Sequence, residues 1–108
     1  MKLLRVEKLN NNKKKYKAVF KLDSGKEKST SFGASGYRDY TLMSNKSSKF
    51  YEPDKKKRDE VKRRYIERHS KNENHNNPLS AGALSRHLLW SKPTLTGSLR
   101  DFKKRFNL

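Results

Sequence analysis

An α+β domain is predicted for this chain: a three-stranded antiparallel β-meander followed by about three helices. Residues 1–33 alternate apolar and polar positions between turn signals. From Pro53 onward the apolar residues recur instead at spacings of three and four. A sheet with one apolar face needs a cover, and those helices can supply it. One small basic domain is expected, divided into a meander (1–33), a linking loop (34–52) and a helical part (53–108).

The first strand is read over "LLRVEKL", with Leu4 and Val6 on one side. The second, "KYKAVFKL", is clearer: Tyr16, Ala18, Phe20 and Leu22 face one way and Lys15, Lys17 and Lys21 the other, with Val19 as the exception. "NNNKKK" reads as the hairpin loop between them. "DSGK" at 23–26 is a tight turn, in which Asp23 can bond its own backbone and Gly25 can take positive φ. "KEKSTSF" returns as a third, more polar strand.

"EPDKKKRDEVKRRYIERHS" is read as a helix, with Pro53 near its first turn and a narrow apolar line of Val61, Tyr65, Ile66 and His69. "LSAGALSRHLLWSKP" is the second helix, capped by Ser80 and stopped by Pro93. In "TLTGSLRDFKKRFNL", Leu95, Leu99, Phe102 and Phe106 share one helical face. "SLRD" at 98–101 fits a capping box there. Phe50 and Tyr51 are expected to tether the loop that precedes the helices.

The charge balance is extreme. The 108 residues hold 28 Lys and Arg against 11 Asp and Glu, a formal net charge of +17. Such an excess repels itself unless a polyanion or bound counterions neutralise it. Lys and Asn both have A-rich codons, so an AT-rich genome can supply part of it. The absence of cysteine excludes disulfides, thiolate metal sites and cysteine catalysis. No apolar run reaches the roughly 18 residues of a membrane span. "MKLLRVEKL" lacks a signal-peptide apolar core, so an intracellular protein without membrane contact is expected.

No catalytic constellation emerges. His69 and His75 flank the Asn-rich "HSKNENHNN" without the frame of a metal nuclease or the spacing of a helical zinc site. The carboxylates form no acid–base couple, and Asp39 and Asp101 read as caps or ion-pair partners. The reading is therefore a non-enzyme, with no cofactor, no metal and no small-molecule substrate.

The binding signal is the basic helix, where Lys55, Lys56, Lys57, Arg58, Lys62, Arg63, Arg64 and Arg68 crowd one segment. Lys and Arg at this density neutralise phosphates and release counterions, which gives affinity without sequence readout. Lys15, Lys17 and Lys21 on the strand and Lys103, Lys104 and Arg105 near the C-terminus extend the candidate surface. The stretch "SFGASGYRDYTL" at 31–42 has two readings. In one it is a corner, with Gly33 and Gly36 bending the chain, Tyr37 and Tyr40 packing on the core and Asp39 capping a turn. In the other the glycines bring backbone N–H groups to a phosphate and Tyr37 and Tyr40 stack on a base. Turn chemistry favours the first.

"KKYKAVF", "FGASGYRDYT", "RRYIERH", "AGALSRHLLW" and "SLRDFKKRF" together resemble a family of small basic proteins of unknown function encoded by large nucleocytoplasmic DNA viruses, among them algal and amoebal viruses. The likeness runs from about Lys13 to Leu108. It implies a viral origin and a location in the virion or the infected host cell, and it carries no catalytic residues. Two functions follow as expectations. One is sequence-independent binding of DNA or another polyanion, in genome packaging or elsewhere in viral DNA transactions. The other is a minor capsid or cement role against viral capsid or core proteins, anchored through Trp90, Tyr51, Phe106 and Leu108.

Overall fold

A computed structural model describes residues 1–71 and 73–108. The chain folds as the expected α+β domain: β1 (Lys2–Lys8), β2 (Lys14–Lys21) and β3 (Glu27–Ala34) make one antiparallel sheet in the order β1-β2-β3. Two tight connections set its register. Asn11 Oδ1 accepts from the amides of Lys13 and Lys14 at 2.9 and 2.7 Å and turns the first hairpin. Gly25, at φ +88°, turns the second, and its amide donates to the Leu22 carbonyl.

The first strand departs from the expected pattern. Its register shifts between Leu3 and Arg5: Leu3 pairs with Phe20, and Arg5 already pairs with Val19. The extra residue, Leu4, is left exposed while Leu3 is buried. A bulge of one residue reverses which side chains face inward, so Leu4 and Val6 do not share the core face. In β2, Ala18 and Phe20 enter the core as expected. Val19 is buried too, but stands outside the main apolar cluster.

Four helices follow: α1 (Tyr40–Met43), α2 (Lys55–Ser70), α3 (Ala81–Leu84) and α4 (Leu95–Phe106). The first lies inside the expected linking loop. Asp39 caps it, accepting from the Leu42 amide at 3.0 Å and the Thr41 hydroxyl at 2.6 Å. Asp54 caps α2 through the Lys56 amide, which leaves Pro53 just outside the helix. Ser80 caps α3 as expected, accepting from the Ala83 amide.

The single second helix is replaced by a short α-turn that widens into a π-helical turn over Ser85–Leu89. His87, Leu88, Leu89 and Trp90 are all buried. Four successive residues span most of the circumference of a helix, so this turn is enclosed by the core and does not present one face to it. In α4 the cap is Thr94, not Ser98. Ser98 is buried one turn inside the helix, and its Oγ accepts from the Lys92 amide at 3.1 Å. Asp101 pairs instead with Lys92 at 3.4 Å.

The core gathers Leu3, Ala18, Phe20 and Phe32 from the sheet, Tyr40 and Met43 from α1, Leu84, Leu88, Leu89 and Trp90 from α3, its π turn and the residue after it, and Phe102 from α4. Helix α2 contributes no fully buried residue. Val61 packs against the core, Tyr65 stacks on Trp90 with ring centres 4.3 Å apart, the Tyr40 hydroxyl donates to Asp59 at 2.7 Å, and Lys62 Nζ donates to the Ser91 carbonyl at 2.7 Å.

Candidate functional site

The end of β3, the stretch after it, α2 and α3 enclose a cleft of about 430 Å³. Its inner surface is aromatic and apolar. Val61 and Tyr65 come from α2, and Leu89 and Trp90 from the far side. His69, Tyr65 and Trp90 form one continuous stack, with His69 and Tyr65 ring centres 4.1 Å apart. Burial, followed by the negative charge of Glu73, pushes the Tyr65 phenol up to about 12, so it remains a neutral hydrogen-bonding group.

Two carboxylates line this space. Asp39 is almost fully buried and accepts from Lys15 Nζ at 2.7 Å. Glu73 takes His69 Nδ1 on one oxygen and His75 Nε2 on the other, each at 3.1 Å. Burial alone would raise the Glu73 carboxyl, but those two histidines outweigh it and hold it below its ordinary range. Among the described residues no group of three or more His, Cys, Asp or Glu is arranged to hold a metal ion.

Gly33 makes the approach of β3 to this region possible. It sits at φ +78°, and a side-chain carbon added there would lie 2.7 Å from Leu89 Cδ1. Gly36 also has positive φ but faces open space, so it serves the turn alone. Around the mouth, Lys14, Arg38, Arg68 and Tyr37 are exposed.

The residues expected to bind nucleic acid divide into three groups. Some are engaged inside the fold. Lys15, with 14% of its side chain exposed, turns away from Lys17 and Lys21 onto Asp39 and the Tyr37 carbonyl. Arg58 donates to the Glu52 carbonyl and closes the loop before α2. Lys62 is half-buried, tied to Ser91 and set 4.9 Å above the Tyr40 ring centre. Each of these three donates to an acceptor within the fold and so acts as a structural cation.

Others sit in exposed ion pairs: Lys55 with Asp59, Arg63 with Glu67 and Arg64 with Glu60, all one helical turn apart, and Lys17 with Glu7 at 3.8 Å. Exposed pairs of this kind are individually weak and open readily toward a stronger anion. Lys21, Lys56, Lys57, Arg68, Lys104 and Arg105 are exposed and make no ion pair among the described residues, and Lys103 is half-exposed in the same condition.

The two tyrosines separate. Tyr37 is 71% exposed at the cleft mouth, and its ring is free to stack. Tyr40 is 5% exposed, covered by Lys62 and bonded to Asp59, so it belongs to the core and not to a base-stacking surface. The corner reading of residues 31–42 therefore holds for Gly33, Asp39 and Tyr40, while Tyr37 and Arg38 point outward. The capsid anchors are largely internal as well: Trp90 is buried, and Phe106 packs on His87 and Phe102. Tyr51 and Leu108 are half-buried.

Lys14 and Arg38 at the cleft, and Arg86 beside it, are cations the sequence reading passed over. Arg38 stands beside Tyr37 inside the stretch already singled out, so its position was available. Lys14 belongs to a lysine run read as loop. Arg86 lies between α2 and α4, where burial, then the neighbouring Arg105, lowers its pKa. Lys62 is lowered by burial and then by Arg86, with Lys92 adding to the effect. Arg86 thus lies near both Arg105 and Lys62, and Lys62 near Lys92. Arg86 Nη1 is buried without a hydrogen-bond partner among the described residues.

Residues 4–52 match the model of a family of unknown function, DUF5754. The matched segment takes in the sheet, the 31–42 stretch and α1, and it ends before the basic helix. No curated protein and no solved structure matches the chain.

Proposed function

We propose that this protein is a non-enzymatic binder of nucleic acid, holding the phosphate backbone by charge without reading sequence. The observation that carries this reading is the set of exposed cations that no internal carboxylate neutralises: Lys21, Lys56, Lys57, Arg68, Lys104 and Arg105 among the expected residues, with Lys14 and Arg38 beside them. With 28 cationic side chains against 11 carboxylates, internal pairing cannot absorb the excess. Burial, then Arg105, lowers the pKa of Arg86, and burial, then Arg86, lowers that of Lys62; the like-charge part of this cost is one that an incoming polyanion relieves.

Phosphate contacts of this type position a strand and carry no sequence information. On this reading, the resemblance to basic proteins of large DNA viruses supplies the ligand's source: a viral genome being packaged or held in the virion. Binding of duplex DNAs of unrelated sequence should be equal and should weaken steeply between about 50 and 200 mM salt. Loss of detectable binding at 50 mM, or a strong preference among unrelated sequences, would overturn the reading.

A further inference from the structure

The cleft and its mouth differ in chemistry. Its interior holds the Tyr65–Trp90 stack and the carboxylates of Asp39 and Glu73. Asp39 is already paired there with Lys15, and Glu73 with His69 and His75, so a phosphate entering would have to displace carboxylates from their partners and would otherwise meet apolar rings. The mouth carries Lys14, Arg38 and Arg68, with Tyr37 exposed among them. An occupant matched to both regions has a flat, uncharged, aromatic part and an anionic periphery. Nucleotides have that division, and the volume of about 430 Å³ falls within the range of small-molecule pockets.

We propose that the cleft receives an unpaired nucleobase, stacked on Tyr37, while the flanking phosphates rest on Lys14, Arg38 and Arg68. This rests on the polyanion-binding reading and deepens it: the preferred partner becomes a single strand and not a duplex, because a paired base cannot leave its stack without being unpaired first. Stacking on an aromatic ring accepts any base, so the site adds strand preference without sequence preference. The cations at the mouth fix the backbone on either side, and the exposed cations of α2 and α4 can follow the strand further.

The test compares three DNAs of equal phosphate count at about 50 mM salt: a dT oligomer, its abasic counterpart and a duplex. The dT oligomer is expected to bind roughly five- to a hundred-fold more tightly than the abasic strand, the range of one base–aromatic stack. It should also quench Trp90, the sole tryptophan of the chain, whereas the abasic strand should not. Tyr37→Ala should remove the advantage of the dT oligomer and leave abasic binding unchanged. Tyr37 donates no side-chain hydrogen bond among the described residues and is largely exposed, so this substitution spares the fold. Equal affinity for dT and abasic strands, or an equal loss for both on Tyr37→Ala, overturns the base site while leaving charge-driven binding intact. Thymidine monophosphate binding as tightly as the oligomer would overturn the strand as occupant. Failure of all the DNAs to bind would remove the underlying reading as well.

Discussion

His87 shows how one buried side chain ties stability to pH. Its Nε2 lies 2.8 Å from the His75 carbonyl, so Nε2 carries the proton and donates. The ring packs edge-on against Phe106 and tilted on Phe102. Burial lowers its pKa from the ordinary 6.5, and the charges of Arg86 and Arg105 add to that, while the bond to His75 opposes it. The folded state therefore keeps the ring neutral at pH values where the unfolded chain binds a proton. The stabilising contribution is complete above pH 6.5 and declines as pH falls from there toward the lowered folded value. Urea unfolding of the native protein should give midpoints that fall between about pH 7 and pH 5. His87→Gln keeps an N–H donor and cannot titrate, so its profile should be flatter across that window. Parallel profiles for the two proteins would show that His87 is not the titrating group. Glu73 acts separately: its carboxyl is held low, so its contribution is lost only as pH falls below its ordinary 4.5.

Among the elements, α2 is the one held least by burial. It runs for 16 residues without a fully buried side chain. Its docking rests on the Tyr65–Trp90 stack and on polar links, of which Lys62 to the Ser91 carbonyl reaches furthest along the chain. Elements with few buried apolar contacts open at lower free energy than the core around them. Amide exchange in α2 should accordingly be faster than in β2. Lys62→Ala removes a charged hydrogen bond and should lower the protection of α2 by about 1–2 kcal/mol. Lys57→Ala, at an exposed position without an ion pair, should change it by less than about 0.5 kcal/mol. Equal effects of the two substitutions would mean that Lys62 is as dispensable as its neighbours. The apolar line through Val61, Tyr65 and His69 was readable from its spacing, and so was the Leu95–Phe106 face of α4. The bulge at Leu4 was not, because β1 presents apolar residues at both Leu3 and Leu4 and only pairing with β2 selects between them. The π turn escaped for a related reason: "SRHLLW" suits an ordinary helix locally, and the demand to bury four consecutive residues arises from the core. Ser98 resembled a cap by spacing, but Thr94, four residues earlier, already occupied that role.

Across the whole molecule, composition disclosed the dominant force but not its distribution. The excess of Lys and Arg was evident, yet the sequence could not tell which cations the fold would engage. Lys15 and Asp39 are 24 residues apart, and Arg86 and Arg105 lie on different helices, so their proximity is a product of tertiary structure. The cleft likewise draws on segments from Lys14 to Trp90 and has no local signature. A formal charge of +17 confined within a radius of gyration of 13.8 Å must repel itself more strongly than the same charge on an extended chain. Screening should therefore favour the folded state. Raising salt from about 10 to 150 mM shortens the Debye length from roughly 30 to 8 Å, less than the molecule's shortest dimension of 23 Å. The melting temperature should rise by several degrees over that range, since about 1 kcal/mol corresponds to roughly 4–8 °C in a domain of this size. A linear polyphosphate at low salt should raise it further than orthophosphate of equal phosphorus content. Its linked charges engage several of Lys56, Lys57, Arg68, Lys104 and Arg105 at once, and binding to the folded state adds stability by mass action. A melting temperature that falls with salt would mean that the exposed ion pairs of α2 outweigh the self-repulsion. Equal shifts from the two phosphates would mean that the exposed cations act one at a time and form no extended surface.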